Sequence, residues 1–110
     1  MAESILQGTT PTLTVEIDPA HLSLADVTEL ELTFQQHNKE PTIRHLTDCV
    51  LDLEENTVAY HFSETETHAF HPSFPLRWQL RFVTLDGQVL GTKWKEIEIE
   101  DLISKEILTE

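Results

Sequence analysis

A chain of 110 residues carrying 20 Asp and Glu against 7 Lys and Arg, net −13, has the length of one ordinary domain, enough to bury roughly two-thirds of its unfolded surface without staples. The acidity disfavours nucleic acid, which needs a net cationic footprint, and the single Cys49 excludes an internal disulfide, fitting a reducing compartment or a particle assembled inside a cell. No apolar run approaches the roughly 18 to 20 residues that span a membrane, and Met1-Ala2-Glu3-Ser4 lacks the basic start of a signal peptide, so a soluble chain made in the cytoplasm is expected.

Residues 1–7 either fray or add an edge strand through Ile5 and Leu6. After the turn-like Gly8-Thr9-Thr10-Pro11, Leu13, Val15 and Ile17 alternate with Thr12, Thr14 and Glu16, which predicts a first strand ended by Asp18-Pro19. His21 to Asp26 reads as a connection, with room for one helical turn, that tucks Leu22 and Leu24 under a sheet edge. Glu29 to Gln35 alternates cleanly and points Leu30, Leu32 and Phe34 inward. Beyond the polar break at His37 to Pro41, short strands are expected at Thr42 to Leu46 and Val50 to Leu53. A further strand at Thr57 to Phe62, after the Glu54-Glu55-Asn56 turn, places Val58, Tyr60 and Phe62 on the core side.

Ser63-Glu64-Thr65-Glu66 has the spacing of a capping box, in which the Ser hydroxyl takes the N–H of Glu66 and that carboxylate reaches back to the N–H of Ser63. One helical turn is expected to cross between sheets there, with Phe70 closing over the core and Pro72 and Pro75 fixing the approach to the next strand. That strand, Leu76-Arg77-Trp78-Gln79-Leu80-Arg81-Phe82, has the clearest period-2 pattern in the chain, with Leu76, Trp78, Leu80 and Phe82 inward and Arg77, Gln79 and Arg81 outward. Asp86-Gly87 predicts a tight hairpin and a return strand from Val89 to Ile99. A two-residue loop would set Lys93 and Lys95 opposite Leu80 and Trp78, so the register has to slip. A bulge between Trp94 and Ile97 turns Trp94, Ile97 and Ile99 inward, and Gly91 offers a second place for one. Residues 101–110 form a mixed tail.

Seven strands with frequent turn signals and one crossing turn give an all-β fold, an immunoglobulin-like antiparallel sandwich spanning residues 1–110 as a single domain, with 1–7 and 101–110 as less ordered tails. A small barrel is the alternative. The expected core is Leu13, Val15, Leu30, Leu32, Phe34, Val58, Tyr60, Phe62, Trp78, Leu80 and Phe82.

Little in the residues points to chemistry. His61, His68 and His71 raise the question of zinc, but no cysteine or carboxylate pattern of ligand spacing accompanies them, so no metal or cofactor is expected. Cys49 lacks a partner histidine and reads as a small buried hydrophobe, and Glu96, Glu98 and Glu100 read as the solvent face of a strand. No catalytic residues are expected. Trp78, Trp94 and Tyr60 would suit a carbohydrate-binding module only if exposed in a groove, and a hydrolase would need histidine and carboxylate converging in a cleft. Between Glu16 and Glu66 stand twelve acids and two bases, whereas residues 76–95 carry Arg77, Arg81, Lys93 and Lys95 against Asp86 alone. Solvated faces are the plainer account of this asymmetry. The sharper one is a cationic row, Arg77, Gln79 and Arg81, that docks on an acidic surface and orients a weak homo-oligomer or a partner.

Four stretches, Gly8-Thr9-Thr10-Pro11-Thr12-Leu13, Leu32-Thr33-Phe34-Gln35-Gln36, Phe62-Ser63-Glu64-Thr65-Glu66-Thr67 and Trp78-Gln79-Leu80-Arg81-Phe82 with its Asp-Gly hairpin, resemble in this order a family of short proteins from prophage structural gene clusters of Gram-positive gut bacteria. The resemblance covers residues 8 to about 100. It departs at Trp78 and Leu80, where smaller aliphatics are usual, and at Ser63, where Thr is usual. Such proteins are similar to the N-terminal immunoglobulin-like domain of phage baseplate upper proteins. The resemblance implies a noncatalytic assembly role in a tail or baseplate, with copies of itself or other phage structural proteins as partners, no nucleic acid or membrane, and association with the virion.

Overall fold

The computed structural model describes residues 4–37 and 39–103. Nine strands lie among them: β1 Ser4–Leu6, β2 Thr12–Glu16, β3 Val27–Gln35, β4 Thr42–His45, β5 Val50–Asp52, β6 Thr57–His61, β7 Leu76–Thr84, β8 Val89–Gly91 and β9 Lys95–Glu100. The larger sheet has the order β1-β9-β7-β3-β4, with β8 also on β7, and the smaller has the order β2-β6-β5. This is an immunoglobulin-like all-β sandwich. Its strands outnumber the expected seven because Ser4–Leu6 joins the sheet and because the return strand after the hairpin is broken into β8 and β9. The β1 pairing with β9 is parallel, Ile5 opposite Ile99, and is the one departure from the antiparallel arrangement among the described strands.

Period-2 alternation becomes burial directly. In β7, Leu76, Trp78, Leu80 and Phe82 are buried and Arg77, Gln79 and Arg81 exposed. Leu32 sits opposite Leu80 and Phe34 opposite Trp78 in the ladder to β3. Leu13, Val58, Tyr60 and Phe62 close the core from the smaller sheet, while Val15, expected in the core, is half-buried and packs at its margin. Ile5, Leu22, Leu24, Leu76, Ile97 and Ile99 complete the core. Each such side chain contributes about 1.5 to 3 kcal/mol when fully buried.

Two motif stretches meet in space. The capping box forms as expected, Ser63 Oγ accepting from the Glu66 N–H and Glu66 Oε1 from the Ser63 N–H, and it opens α1, Glu64–Ala69. Thr67 on α1, fully buried, donates its hydroxyl to the Thr9 carbonyl at 2.6 Å, which ties the crossing helix to the Gly8-Thr9-Thr10-Pro11 lead-in. Gly8 itself has φ of 72°, and a Cβ there would come within 2.7 Å of the Leu102 side chain. Gln7 N–H donates to the Glu100 carbonyl, and the Leu102 N–H donates to Gln7 Oε1. Residues 4–7 and 101–103 thus belong to the folded body; the rest of both expected tails lies outside the described residues.

The hairpin after β7 corrects the expected register. Its loop is Leu85-Asp86-Gly87, three residues rather than two: Thr84 N–H donates to the Gln88 carbonyl, Gly87 N–H to the Thr84 carbonyl, and only Gly87 has positive φ, 83°. The Thr84 hydroxyl bonds to Asp86 Oδ1, which satisfies the carboxylate without φ > 0 at that residue. Phe82 therefore faces Leu90, and Arg81 faces Gly91. The chain then leaves the ladder: Thr92 N–H donates to the Leu80 carbonyl and Thr92 Oγ1 accepts from the Leu80 N–H. It rejoins at Lys95, opposite Trp78, with Ile97 opposite Leu76. The slip falls before Trp94, so Trp94 is thrown outward and is 55% exposed, not inward. Lys95 pairs with the buried Trp78 but is itself exposed.

Candidate functional interface

The outer face of the larger sheet collects the exposed side chains of four strands. Reading across the ladders, one row is His45, Glu31 and Arg81, the next Ile43, Thr33 and Gln79, and the next Gln35, Arg77 and Glu96. All three residues of the expected docking row are exposed here. Its charge, however, is not bare. Arg81 donates through Nε and Nη2 to Glu31 Oε1 at 3.0 and 2.8 Å, and Arg77 Nε lies 3.8 Å from Glu96 Oε2. Gln79 Nε2 donates to the Thr92 carbonyl at 2.8 Å. The predicted cationic stripe is thus offset within the chain by carboxylates on the neighbouring strands.

What the sequence reading did not place on this face is apolar. Trp94 lies with its ring 4.8 Å from the Arg77 guanidinium carbon, and Ile43 and Val89 are 43% and 61% exposed on the same side. Lysines falling opposite the core strand were the signal that a slip occurs, but nothing in the residues says on which side of Trp94 it falls, and one residue there reverses the face. Of the aromatics considered for a carbohydrate platform, Trp78 and Tyr60 are 5% and 6% exposed, which leaves Trp94, with Arg77 against its ring.

A cleft of about 480 Å³ lies between β4 and α1 with Phe34, Phe70 and Leu76 among its apolar walls. Its polar floor is a closed network. Arg44 Nε donates to the Tyr60 hydroxyl at 3.0 Å, that hydroxyl donates to Glu66 Oε2 at 2.6 Å, and Arg44 Nη2 reaches the same oxygen at 2.9 Å. Burial pushes the Tyr60 phenol up to about 12, and its bond to the Glu66 carboxylate adds to the rise. Burial alone would raise Glu66, but the Ser63 N–H, the Tyr60 hydroxyl and the Arg44 guanidinium outweigh it and hold the carboxyl below its usual range. The network bonds β4 of one sheet to β6 of the other and to the crossing helix. Its residue types look catalytic, but every one is committed to a partner inside the fold. Alternation along β4 puts Arg44 on the inner side with Thr42, and a lone inward base needing an acid was the signal for it.

The remaining sequence candidates are scattered. His61 is exposed and hydrogen-bonds Thr12 Oγ1 at 2.6 Å; His71 accepts the Ser73 N–H on Nδ1 and stacks beside Phe74, 5.3 Å between ring centres; His68 packs near Gly8. Among the described residues no three His, Cys, Asp or Glu side chains gather as a metal site would require. Cys49 is half-buried against the core, and burial, followed by the nearby Asp48, pushes its thiol up to about 11, so little of it is thiolate near neutrality. Glu96, Glu98 and Glu100 are exposed along β9. Among the described residues no helix is long and apolar enough to cross a membrane. No protein-family model matches this chain, and no curated protein matches it.

Proposed function

We propose that this chain is a noncatalytic interaction domain, an assembly module of a phage or prophage tail or baseplate that docks through the outer face of its larger sheet onto copies of itself or another structural protein. The observation that carries the docking face is Trp94: a large aromatic ring exposed beside Arg77, with Ile43 and Val89 on the same face, on a sheet whose charges are already matched. Tryptophan and arginine are the residue types that carry most binding energy at protein interfaces, and a matched Arg and Glu ladder gives register to a partner without a large desolvation cost. The phage setting rests on the sequence resemblance of residues 8 to about 100. A carbohydrate-binding reading would have to rest on Trp94 by itself.

Mass spectrometry of particles purified after prophage induction, with the natural chain and a Trp94→Ser, Arg77→Glu variant, tests this. The natural chain is expected in the particles and the variant in the soluble fraction, at equal folded content by circular dichroism. A chain absent from particles in both cases overturns the setting, and a variant retained as well as the natural chain overturns the face.

A further inference from the structure

We propose that the free edge of β2 is a strand-addition site that takes an extended, basic segment of a partner protein. The main-chain geometry comes first. Ile17 N–H donates to the Asn56 carbonyl and Phe62 N–H to the Pro11 carbonyl, each at 2.9 Å, and β2 pairs in unbroken antiparallel register with β6 between those two bonds. Residues of an antiparallel strand alternate in the direction their N–H and C=O groups point, so Leu13 and Val15 spend theirs on β6, and those of Thr12, Thr14 and Glu16 point away from it. Among the described strands β2 has no second neighbour.

Beside that edge the six-stranded larger sheet faces the three strands of the smaller one. Between the two sheets there, two slots of about 260 and 350 Å³ share Leu13 and Thr14 in their walls; the first is also lined by Ile5, Phe62 and Ile97, the second by Trp78. An added strand would hydrogen-bond Thr12, Thr14 and Glu16 and send every second side chain into these slots, the mode in which main-chain bonds supply affinity and alternate pockets supply specificity. The usual guards are few: Thr12–Glu16 contains no Lys, no Pro and no bulge, Glu16 being its one charge, whereas β1 and β5 are blunted by a length of three residues each and β4 carries Arg44.

Charge selects the occupant. Glu16 stands exposed at the edge and lines the second slot with Lys95 and with Glu96, whose carboxylate also lies 3.8 Å from Arg77, on a chain of net −13. A second acidic copy is repelled, and a segment with apolar residues facing the slots and Lys or Arg facing Glu16 fits. The site shares Glu96 with the rim of the outer face and contains none of Arg81, Ile43 and Val89.

The probe is a short capped peptide of alternating lysine and valine, read by amide hydrogen exchange on the full chain. At saturation the amides of Thr12, Thr14 and Glu16 are expected to slow by at least about tenfold, and an alternating glutamate and valine peptide to bind at least about tenfold more weakly. Methylating the amides of only the valines, or only the lysines, is expected to abolish binding for one set and spare the other, because alternate peptide amides face β2; this control needs no change to the protein. Thr14→Pro removes an outward N–H that β6 does not use, so it is expected to lose the peptide while Leu13 and Val15 stay protected. Arg81→Glu, whose partner is Glu31 and which lines neither slot, is expected to leave peptide binding unchanged. Protection falling elsewhere, indifference to amide methylation, or protection of the same three amides by raising the concentration of this chain without peptide would overturn the proposal.

Discussion

The side chain of Asn56 takes the backbone N–H of Leu24 on Oδ1 at 2.9 Å, and its Nδ2 donates to the carbonyls of Ile17 and Leu22 at 2.8 and 2.9 Å. Asn56 is 6% exposed and has φ of 56°, so one turn residue both reverses the chain between β5 and β6 and supplies the buried connection between β2 and β3 with a hydrogen-bonding partner. Asn56→Ala leaves a buried N–H and two carbonyls without partners and puts a side chain less suited to αL in the turn. The expected loss is about 3 kcal/mol or more. Asn56→Gly relieves the backbone but not the three bonds, so in urea denaturation it should recover only a small part of that loss. Equal stability of Asn56→Gly and the natural chain would show that the side-chain bonds do not matter.

The two tryptophans report the hairpin register. Trp78 is 5% exposed in the core, whereas Trp94 is 55% exposed with Arg77 against its ring. Trp78→Ala is expected to cost about 3 to 5 kcal/mol, while Trp94→Ala removes a surface cation–π contact and is expected to cost about 1 kcal/mol or less. In Trp94→Phe the remaining tryptophan should emit at short wavelength and resist iodide, and in Trp78→Phe the remaining one should emit at long wavelength and be quenched. A shielded Trp94 would mean that the slip lies after it rather than before.

Alternation made β2, β3, β6 and β7 legible because each has one face on the core, and the Ser63 and Glu66 spacing made the crossing turn legible because a capping box is complete within four residues. What could not be read depends on partners distant in sequence. Which way Trp94 points is set by where the one-residue slip between Thr92 and Lys95 falls, since the period of two turns one residue into a change of face. The Arg44, Tyr60 and Glu66 network joins residues that only the closed sandwich brings together, and Glu66 had already been accounted for by its cap. The parallel pairing of β1 with β9 leaves no mark in either short strand, and the neutralising of Arg81 by Glu31 crosses 50 residues. The exposure of Arg77, Gln79 and Arg81 was legible from alternation; the carboxylates that pair with the two arginines were not.

The same network sets the pH dependence. Glu66 has its carboxyl lowered in the folded state, so the stability it contributes is present above the unfolded value near 4.3 and is lost as pH falls through the lower folded one. Tyr60 is shifted the other way: its contribution is complete below the unfolded value of about 10 and is lost as pH rises toward the folded value of about 12. Glu66→Gln should therefore flatten the acid limb of a stability profile, and Tyr60→Phe the alkaline limb between those two values. An alkaline limb unchanged in Tyr60→Phe would place the loss on another group.

The outer face makes the last prediction, and the in-house pairs set its form. Arg81→Glu would bring a like charge against Glu31, and Arg77→Glu would do the same at Glu96 and remove the cover from Trp94. Exposed pairs of this kind are worth about 0 to 1 kcal/mol each, so the double variant should stay folded with a slightly lower denaturation midpoint. Docking responds differently. A face whose cations and anions alternate in register presents a mismatched pattern once both arginines are reversed, and rim charges act mainly on orientation and association rate, which salt weakens. In sedimentation the natural chain is expected to associate weakly at low salt and dissociate at high salt, and the double variant to remain monomeric at both. Identical monomeric behaviour in all four conditions removes self-association through this face and leaves a foreign structural protein as its partner; association in the variant as strong as in the natural chain removes the face altogether.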